Sequence, residues 1–235
     1  MASYHLSLKS GKPGKAANHA SYIARQGKHS QDEGSSDLIA TGHDNMPEWA
    51  QNDPLDFWKA ADKYERVNGA AYREFELALP LELSLEQSKE MLLEFIDKEL
   101  SGKAYQFAIH NPQAAFGRLN QPHAHIMYSD RMLDGINRSR EQHFRRHNPA
   151  NPELGGCKKD SGGKDRSELR NDVLVCRENL KNIQNKYLEK NGFSARVDHR
   201  SHKDRGIDKE PERHLGQARV KQMCQEEKAI FQSNR

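Results

Sequence analysis

Polar and apolar positions alternate with period two in several stretches of the chain, the pattern of strands whose two faces meet different surroundings. "SYHLSL" sets Tyr4, Leu6 and Leu8 against Ser3, His5 and Ser7, and "AYREFELAL" sets Phe75, Leu77 and Leu79 against Glu74, Glu76 and Ala78. "AYQFAIH" and "PHAHIMYS" follow as a pair of strands, joined by a loop containing Pro112, Gly117 and Pro122. Helices are predicted over "KAANHASYIARQGK", closed by Gly27, and from the Asp53-Pro54 start through about Val67. Ser84 with Gln87 forms a capping box for a helix through about Leu100. "RSELRNDVLVCRENLKNIQNKYLEKNGF" is a long helix, with Leu169, Val173, Cys176, Leu180, Ile183 and Tyr187 at helical spacing. Residues 29–52 lack periodicity and predict a long loop; residues 143–165, rich in Gly, Pro, Lys and Arg, predict a mobile basic loop. A short strand around Ala195 to Val197 is expected to lead into an irregular charged stretch, and a polar helix is expected from Gln217 to the end.

Composition narrows the class. The 235 residues suffice for one large domain, or one domain with an appended segment. Hydrophobic residues make up 34% and charged ones 30%, so long stretches must be solvated. No window approaches the roughly 18 consecutive apolar residues of a membrane span. The start "MASYHLSLKSGK" has no apolar targeting core, so a mature cytoplasmic protein without membrane insertion is expected. Cys157, Cys176 and Cys224 are scattered and form no CxxC pair, which argues against a disulfide framework or zinc ribbon and fits a reducing compartment. The net charge is only +3, so the location of basic residues matters more than their total.

Alternation puts Gln106, Ala108 and His110 on one face of the first paired strand, and His123, His125 and Met127 on one face of the second. If the strands are antiparallel neighbours, three imidazoles share one patch, a three-nitrogen metal site with room for water or substrate. Unrelated surface histidines on the wet face of a sheet would give the same alternation. Glu76 or Glu74 could hold a ligating ring through its other nitrogen. In "NHASYIARQGK", Ala16, Ala17, Ala20, Ile23 and Ala24 form the apolar side of the helix, and Tyr22 falls on the other, near Asn18, His19, Arg25 and Gln26. A phenol has an unperturbed pKa of about 10 and attacks at neutral pH only with help; Arg25, Lys28 or a metal would favour phenolate. Tyrosine and metal together suggest phosphodiester transesterification.

"YHLSLKSG", "ASYIARQGK", "REFELALP", "AIH", "PHAHIMYSDR", "RVDHRSHKDRGID" and "HLG", in this order, resemble the MobA/MobL plasmid mobilization relaxases over residues 4–216. The resemblance implies an α+β domain with a central antiparallel β-sheet flanked by helices, residues 1–200, followed by a charged segment with a helix, 201–235. It implies that Tyr22 is the nucleophile, that His110, His123 and His125 ligate Mg2+ or Mn2+, and that Glu76 orients a ligand, with Glu74 on the same strand face. No role follows for Asp198 to Ser201. The partners implied are single-stranded DNA at a transfer origin, accessory mobilization proteins and a conjugative coupling protein. Arg25, Lys28, Arg138, Arg140, Arg145, Arg146, Lys158 and Lys159, with Lys164 and the 196–213 segment, are candidates to track the DNA backbone, solvated loops being the alternative. Tyr105, Trp49, Trp58 and Tyr64 suit a core better than base stacking. Rival functions are a rolling-circle replication initiator, where the HxH usually precedes the tyrosine, and a metal-stabilised DNA-binding module without turnover.

Overall fold

A computed structural model describes residues 4–31, 35–113, 120–208, 219–220 and 222–233. Strands β1 (Leu6–Gly11), β2 (Leu38–Asp44), β3 (Tyr72–Ala78), β4 (Lys103–His110) and β5 (His123–Met132) form one antiparallel sheet in the order β1-β3-β5-β4-β2. Helices α1 (Ala16–Ile23), α2 (Pro54–Tyr64), α3 (Leu85–Leu100) and α5 (Arg166–Lys190) flank it, and α4 (Arg140–His143) is a single turn. This is the α+β architecture that the resemblance implied.

Alternation sorts the core into two layers. Phe75, Leu77, Phe107, Ile109 and Ile126 project from one face and pack with Met91, Phe95 and Ile96 of α3 and Leu180 and Ile183 of α5. Ala104, Ala108 and Met127 project from the other and meet Ala20 and Ile23 of α1 and Phe57 and Trp58 of α2. Phe57 and Trp58 are fully buried, each contributing about 2–3 kcal/mol of transfer free energy. Trp58 Nε1 donates to Gln106 Oε1 at 2.8 Å, so the buried amide of Gln106 beneath α2 has a partner. The histidine-bearing face is therefore a covered face, and the wet-sheet alternative fails.

The helix starts follow the sequence: Asp53 accepts from the Leu55 N–H at 2.9 Å, and the Ser84/Gln87 capping box is closed in both directions. Helix α1 has no cap of its own, because Lys15 stands at the position. Asp62 reaches over from α2 and accepts from the N–H groups of Gly14, Ala16 and Ala17 at 2.7, 2.8 and 2.9 Å. Asp62→Ala is expected to cost about 2 kcal/mol in chemical denaturation, with Asp62→Asn losing less; equal midpoints for all three proteins would remove Asp62 from this role.

Several expectations are corrected. Helix α1 ends at Ile23 rather than running to Gly27, because Arg25 (φ 51°) and Gly27 (φ 59°) turn the chain left-handed. Helix α2 ends at Tyr64, leaving Val67 exposed. The predicted loop 29–52 contains β2, an edge strand whose alternation is masked by small and polar residues; Gly42 has no side chain where the Phe107 ring crosses it. Residues 195–197 form no strand, since the Asn185 side chain pairs with both backbone groups of Val197, at 2.8 and 2.9 Å, in place of a neighbouring strand. The 143–165 segment is tied down rather than loose, because Arg131 and Arg138, which precede it, donate to its carbonyls. The expected helix from Gln217 to the end is interrupted, since Met223 and Cys224 are not helical and the last helix is Gln225–Ser233; "HLG" and residues 217, 218 and 221 lie outside the described residues. No helix among the described residues is long and apolar enough to cross a membrane.

Candidate active site

The register of β4 on β5 sets His110 beside His123 and Ala108 beside His125. The three imidazoles consequently meet: centroids lie 5.5 Å apart for His110 with His123 and with His125, and 5.2 Å for His123 with His125. Each ring is held by its Nδ1. That of His123 faces the Gln121 carbonyl at 3.0 Å, that of His125 faces Glu74 Oε1 at 2.7 Å, and that of His110 faces Asp37 Oδ1 at 3.0 Å. Burial lowers the pKa of His110 and His123, helped by the charge of Arg25 near the first and of His125 near the second, and outweighs the opposing pull of Asp37 and the Gln121 carbonyl. For His123 and His125 a neutral imidazole with an Nδ1–H partner leaves Nε2 as a lone-pair donor, the form that ligates metal, whereas His110 Nε2 faces the Ile23 carbonyl.

The donor set suits a divalent ion. An ion roughly 2.1 Å from three imidazole nitrogens sets the ring centroids about 5 Å apart, near the spacing found. No three or more His, Cys, Asp or Glu side chains among the described residues yet converge on one point. His110 Nε2 lies 2.9 Å from the Ile23 carbonyl, a contact that an ion would have to replace.

The glutamate that bonds the cluster is Glu74, not Glu76. Although Glu76 stands opposite His125 in the register, its side chain is drawn to the edge strand and pairs with Lys9. Glu74 is 2% exposed, bonds His125, and has His19 Nε2 at 3.0 Å. Burial would raise its pKa, but His125 and His19 override that and push it down from 4.5 to about 2. A depressed carboxylate stabilises the fold above its unfolded value and loses that contribution as pH falls through the folded one. The advantage of wild type over Glu74→Gln, roughly 3 kcal/mol above about pH 5, is expected to vanish in urea unfolding curves as pH falls to about 2. An advantage independent of pH would refute the assignment.

Tyr22 misses the apolar stripe of α1, as the helical wheel predicts, and is 42% exposed. Its ring is framed by its own segment: His19 stacks at 6.2 Å, His29 meets it edge-on at 5.4 Å, and the Arg25 guanidinium lies 4.9 Å from its centroid. His19 also stacks on Tyr72 at 5.2 Å. Two links join this helix to the histidine patch, His19 through Glu74 to His125, and the Ile23 carbonyl to His110. Asp37, which periodicity did not reveal, bridges Arg25 and His110; its only signal in the sequence is a lone acidic residue ahead of a weak strand.

The basic candidates divide. Lys28, Arg140, Arg145, Arg146 and Lys158 are exposed. Of these, Arg140 pairs with Asp56 and lies over the Trp49 ring at 5.5 Å, and Arg145 pairs with Glu141. Arg138 and Lys159 are corrected. Arg138, 4% exposed, is spent on Asp134 and on the carbonyls of Gly155 and Pro152, while Lys159 is half-buried beside Glu65. Arg25 is likewise bound to Asp37 rather than open to a phosphate. Six positions along β5 separate His125 from Arg131, where the basic segment attaches, a distance of about 20 Å. Lys164 pairs with Asp160 and Asp172. Asp198 clamps Arg200 and Arg205, a local brace in the 198–205 stretch. Trp58 and Tyr105 are buried and Trp49 and Tyr64 partly so, against the front and back core layers.

Residues 19–226 match the profile of the MobA/MobL family. The chain is 49% identical over 211 residues to the "43 kDa relaxation protein" of Salmonella typhimurium, covering 89% of this chain and 57% of that one. It is 40% identical over 222 residues to "Mobilization protein A" of Escherichia coli, covering 92% of this chain and 30% of that one. The chain thus spans 57% and 30% of these curated relatives. A solved structure described as "Molecular Basis of Vancomycin Resistance Transfer in Staphylococcus aureus" is similar in fold, with a TM-score of 0.61 and 24% identity over 85% of this chain and all of that one.

Proposed function

The chain belongs to the MobA/MobL family, and from that premise we propose that it is a relaxase, which cuts and rejoins one DNA strand at a plasmid transfer origin. The observation that carries this reading is the contact of the tyrosine helix with the histidine patch, through Ile23 on His110 and through His19 and Glu74 on His125. An exposed phenol at the end of that helix can approach a phosphate held at the imidazoles.

In this mechanism Tyr22 gives its proton to water, from which the leaving oxygen later takes one, and its own oxygen attacks the scissile phosphorus. The P–O3′ bond breaks, the departing 3′ oxygen takes up a proton, and the 5′ phosphate remains esterified to Tyr22. One phosphodiester replaces another, so the step needs no ATP and reverses when the 3′ hydroxyl attacks the phosphotyrosine. His110, His123 and His125 would hold Mg2+ or Mn2+ through Nε2; such an ion, when bound, polarises the non-bridging oxygens and offsets charge that builds up on them, an effect of several kcal/mol. Glu74 keeps His125 in its ligating tautomer. On this reading Lys28, exposed beyond the turn that ends the helix, meets phosphate near the cut, and the exposed Arg145, Arg146 and Lys158 meet DNA farther from it. The partners on this reading are single-stranded DNA at the transfer origin, accessory mobilization proteins and a coupling protein, and the compartment is the bacterial cytoplasm.

The test is to incubate the protein with supercoiled plasmid carrying its transfer origin and Mn2+, then to look for a nick with protein on the 5′ end. DNA binding without an adduct would favour the non-catalytic module instead.

A further inference from the structure

Asp37 belongs neither to the tyrosine helix nor to the histidine strands, yet it bonds to His110 and to Arg25 in the turn that ends that helix. It ends the single turn Ser35–Asp37 that enters β2, and its own carbonyl accepts from the N–H of Asn111, the residue after His110, at 2.8 Å. The main chain therefore fixes where its carboxylate stands. Oδ1 faces His110 Nδ1 at 3.0 Å, and Arg25 grips the same carboxylate with Nε at 3.2 Å and Nη2 at 3.1 Å to each oxygen. Arg25 in turn donates Nη1 to the Tyr22 carbonyl at 3.1 Å and covers the Tyr22 ring.

We propose that Asp37 is a positioning residue for both halves of the site: it anchors the His110 ring through Nδ1, so that Nε2 can ligate an ion that displaces its contact with the Ile23 carbonyl, and it holds Arg25 against Tyr22. This rests on the relaxase reading above. A carboxylate accepting from Nδ1–H makes the far nitrogen a better donor. The planar guanidinium needs a bidentate acceptor to stay in one orientation; without Asp37, Arg25 keeps one hydrogen bond, to the Tyr22 carbonyl. Ligand and nucleophile are thus oriented by one group rather than by two independent ones.

The full chain is compared with Asp37→Asn, Asp37→Ala, Asp37→Glu and Arg25→Lys. Mn2+ binding is read by electron paramagnetic resonance of the free ion, and adduct formation on supercoiled transfer-origin plasmid is read at saturating Mn2+. Asp37→Asn, which is isosteric, and Asp37→Ala are expected to weaken Mn2+ binding by about 10-fold to 100-fold and also to slow the saturated rate about 10-fold. Asp37→Glu should recover part of both, and Arg25→Lys should slow the rate while leaving Mn2+ binding intact. A folded Asp37→Asn protein with wild-type Mn2+ affinity, or with a wild-type saturated rate, overturns the proposal. If Tyr22→Phe abolishes the adduct and the Asp37 variants match wild type, this proposal alone falls; if Tyr22→Phe forms adduct normally, Tyr22 is not the nucleophile and the proposal falls with that assignment; if wild type itself forms no adduct, the relaxase reading falls.

Discussion

Tyr22→Phe is expected to fold, to bind transfer-origin DNA and to form no covalent adduct, with strand cleavage reduced on the order of 10^4-fold or more, as for removal of other enzymic nucleophiles. The substitution removes one oxygen from a ring that is 42% exposed and whose position is set by packing against His19, His29 and Arg25. These are contacts of the ring, which phenylalanine keeps, so the melting temperature should change little. Cleavage is read on a denaturing gel after protease treatment, and DNA binding by mobility shift. A Tyr22→Phe variant that nicks like wild type would mean that another group attacks, and the exposed position of Tyr22 would then need a different explanation.

Arg131→Met should be the most destabilising single change outside the apolar core, by about 3–5 kcal/mol. Arg131 is 3% exposed and donates Nε and Nη2 to Glu65, itself buried, at 3.0 and 2.8 Å. Its remaining donors go to the carbonyls of Phe144, Arg145 and Cys157 at 2.6, 3.0 and 2.8 Å. Methionine fills much of the volume but leaves the Glu65 carboxylate to Lys159 and to Arg66, which lies 3.9 Å away, and strips three carbonyls of this donor. The basic segment should then detach: limited proteolysis should cut within 144–157, and DNA affinity should fall because Arg145 and Arg146 lose their setting. Adding Glu65→Gln should recover part of the stability, since the poorly compensated charge is gone. A loss under about 1 kcal/mol with unchanged proteolysis would show that Glu65 and the carbonyls find other partners.

Much of the site was legible because side-chain direction is a local property. A period-two pattern puts His123 and His125 on one face whatever the strand packs against, and helical spacing puts Tyr22 off the apolar stripe of α1 in the same way. Capping at Asp53 and Ser84 was legible for the same reason, since a cap and its N–H groups lie within three residues. Strand β2 was not legible. It lies at the edge of the sheet, its inward positions include Ala40 and Gly42, and Phe107 supplies the bulk that its own residues lack.

Charge was the least legible feature, because a lysine or arginine reads alike in sequence whether it faces water or a buried carboxylate. Arg138 and Lys159 looked like phosphate contacts and are structural ties, and Arg131, which no pattern singled out, anchors the segment that carries them. The choice between Glu74 and Glu76 shows the same limit. Both face the histidines by alternation, and Lys9 on β1, 67 positions away in sequence, takes Glu76 and leaves Glu74 to His125.

By itself the sequence determined which residues share a face, where the main helices begin, and the family to which the chain belongs. Only the tertiary structure decided which partner each charged or titratable group meets: Glu74 on His125, Asp37 between Arg25 and His110, and Ile23 against the patch. Direction follows from bonds within a few residues, whereas pairing depends on the register and order of strands that lie far apart in the chain.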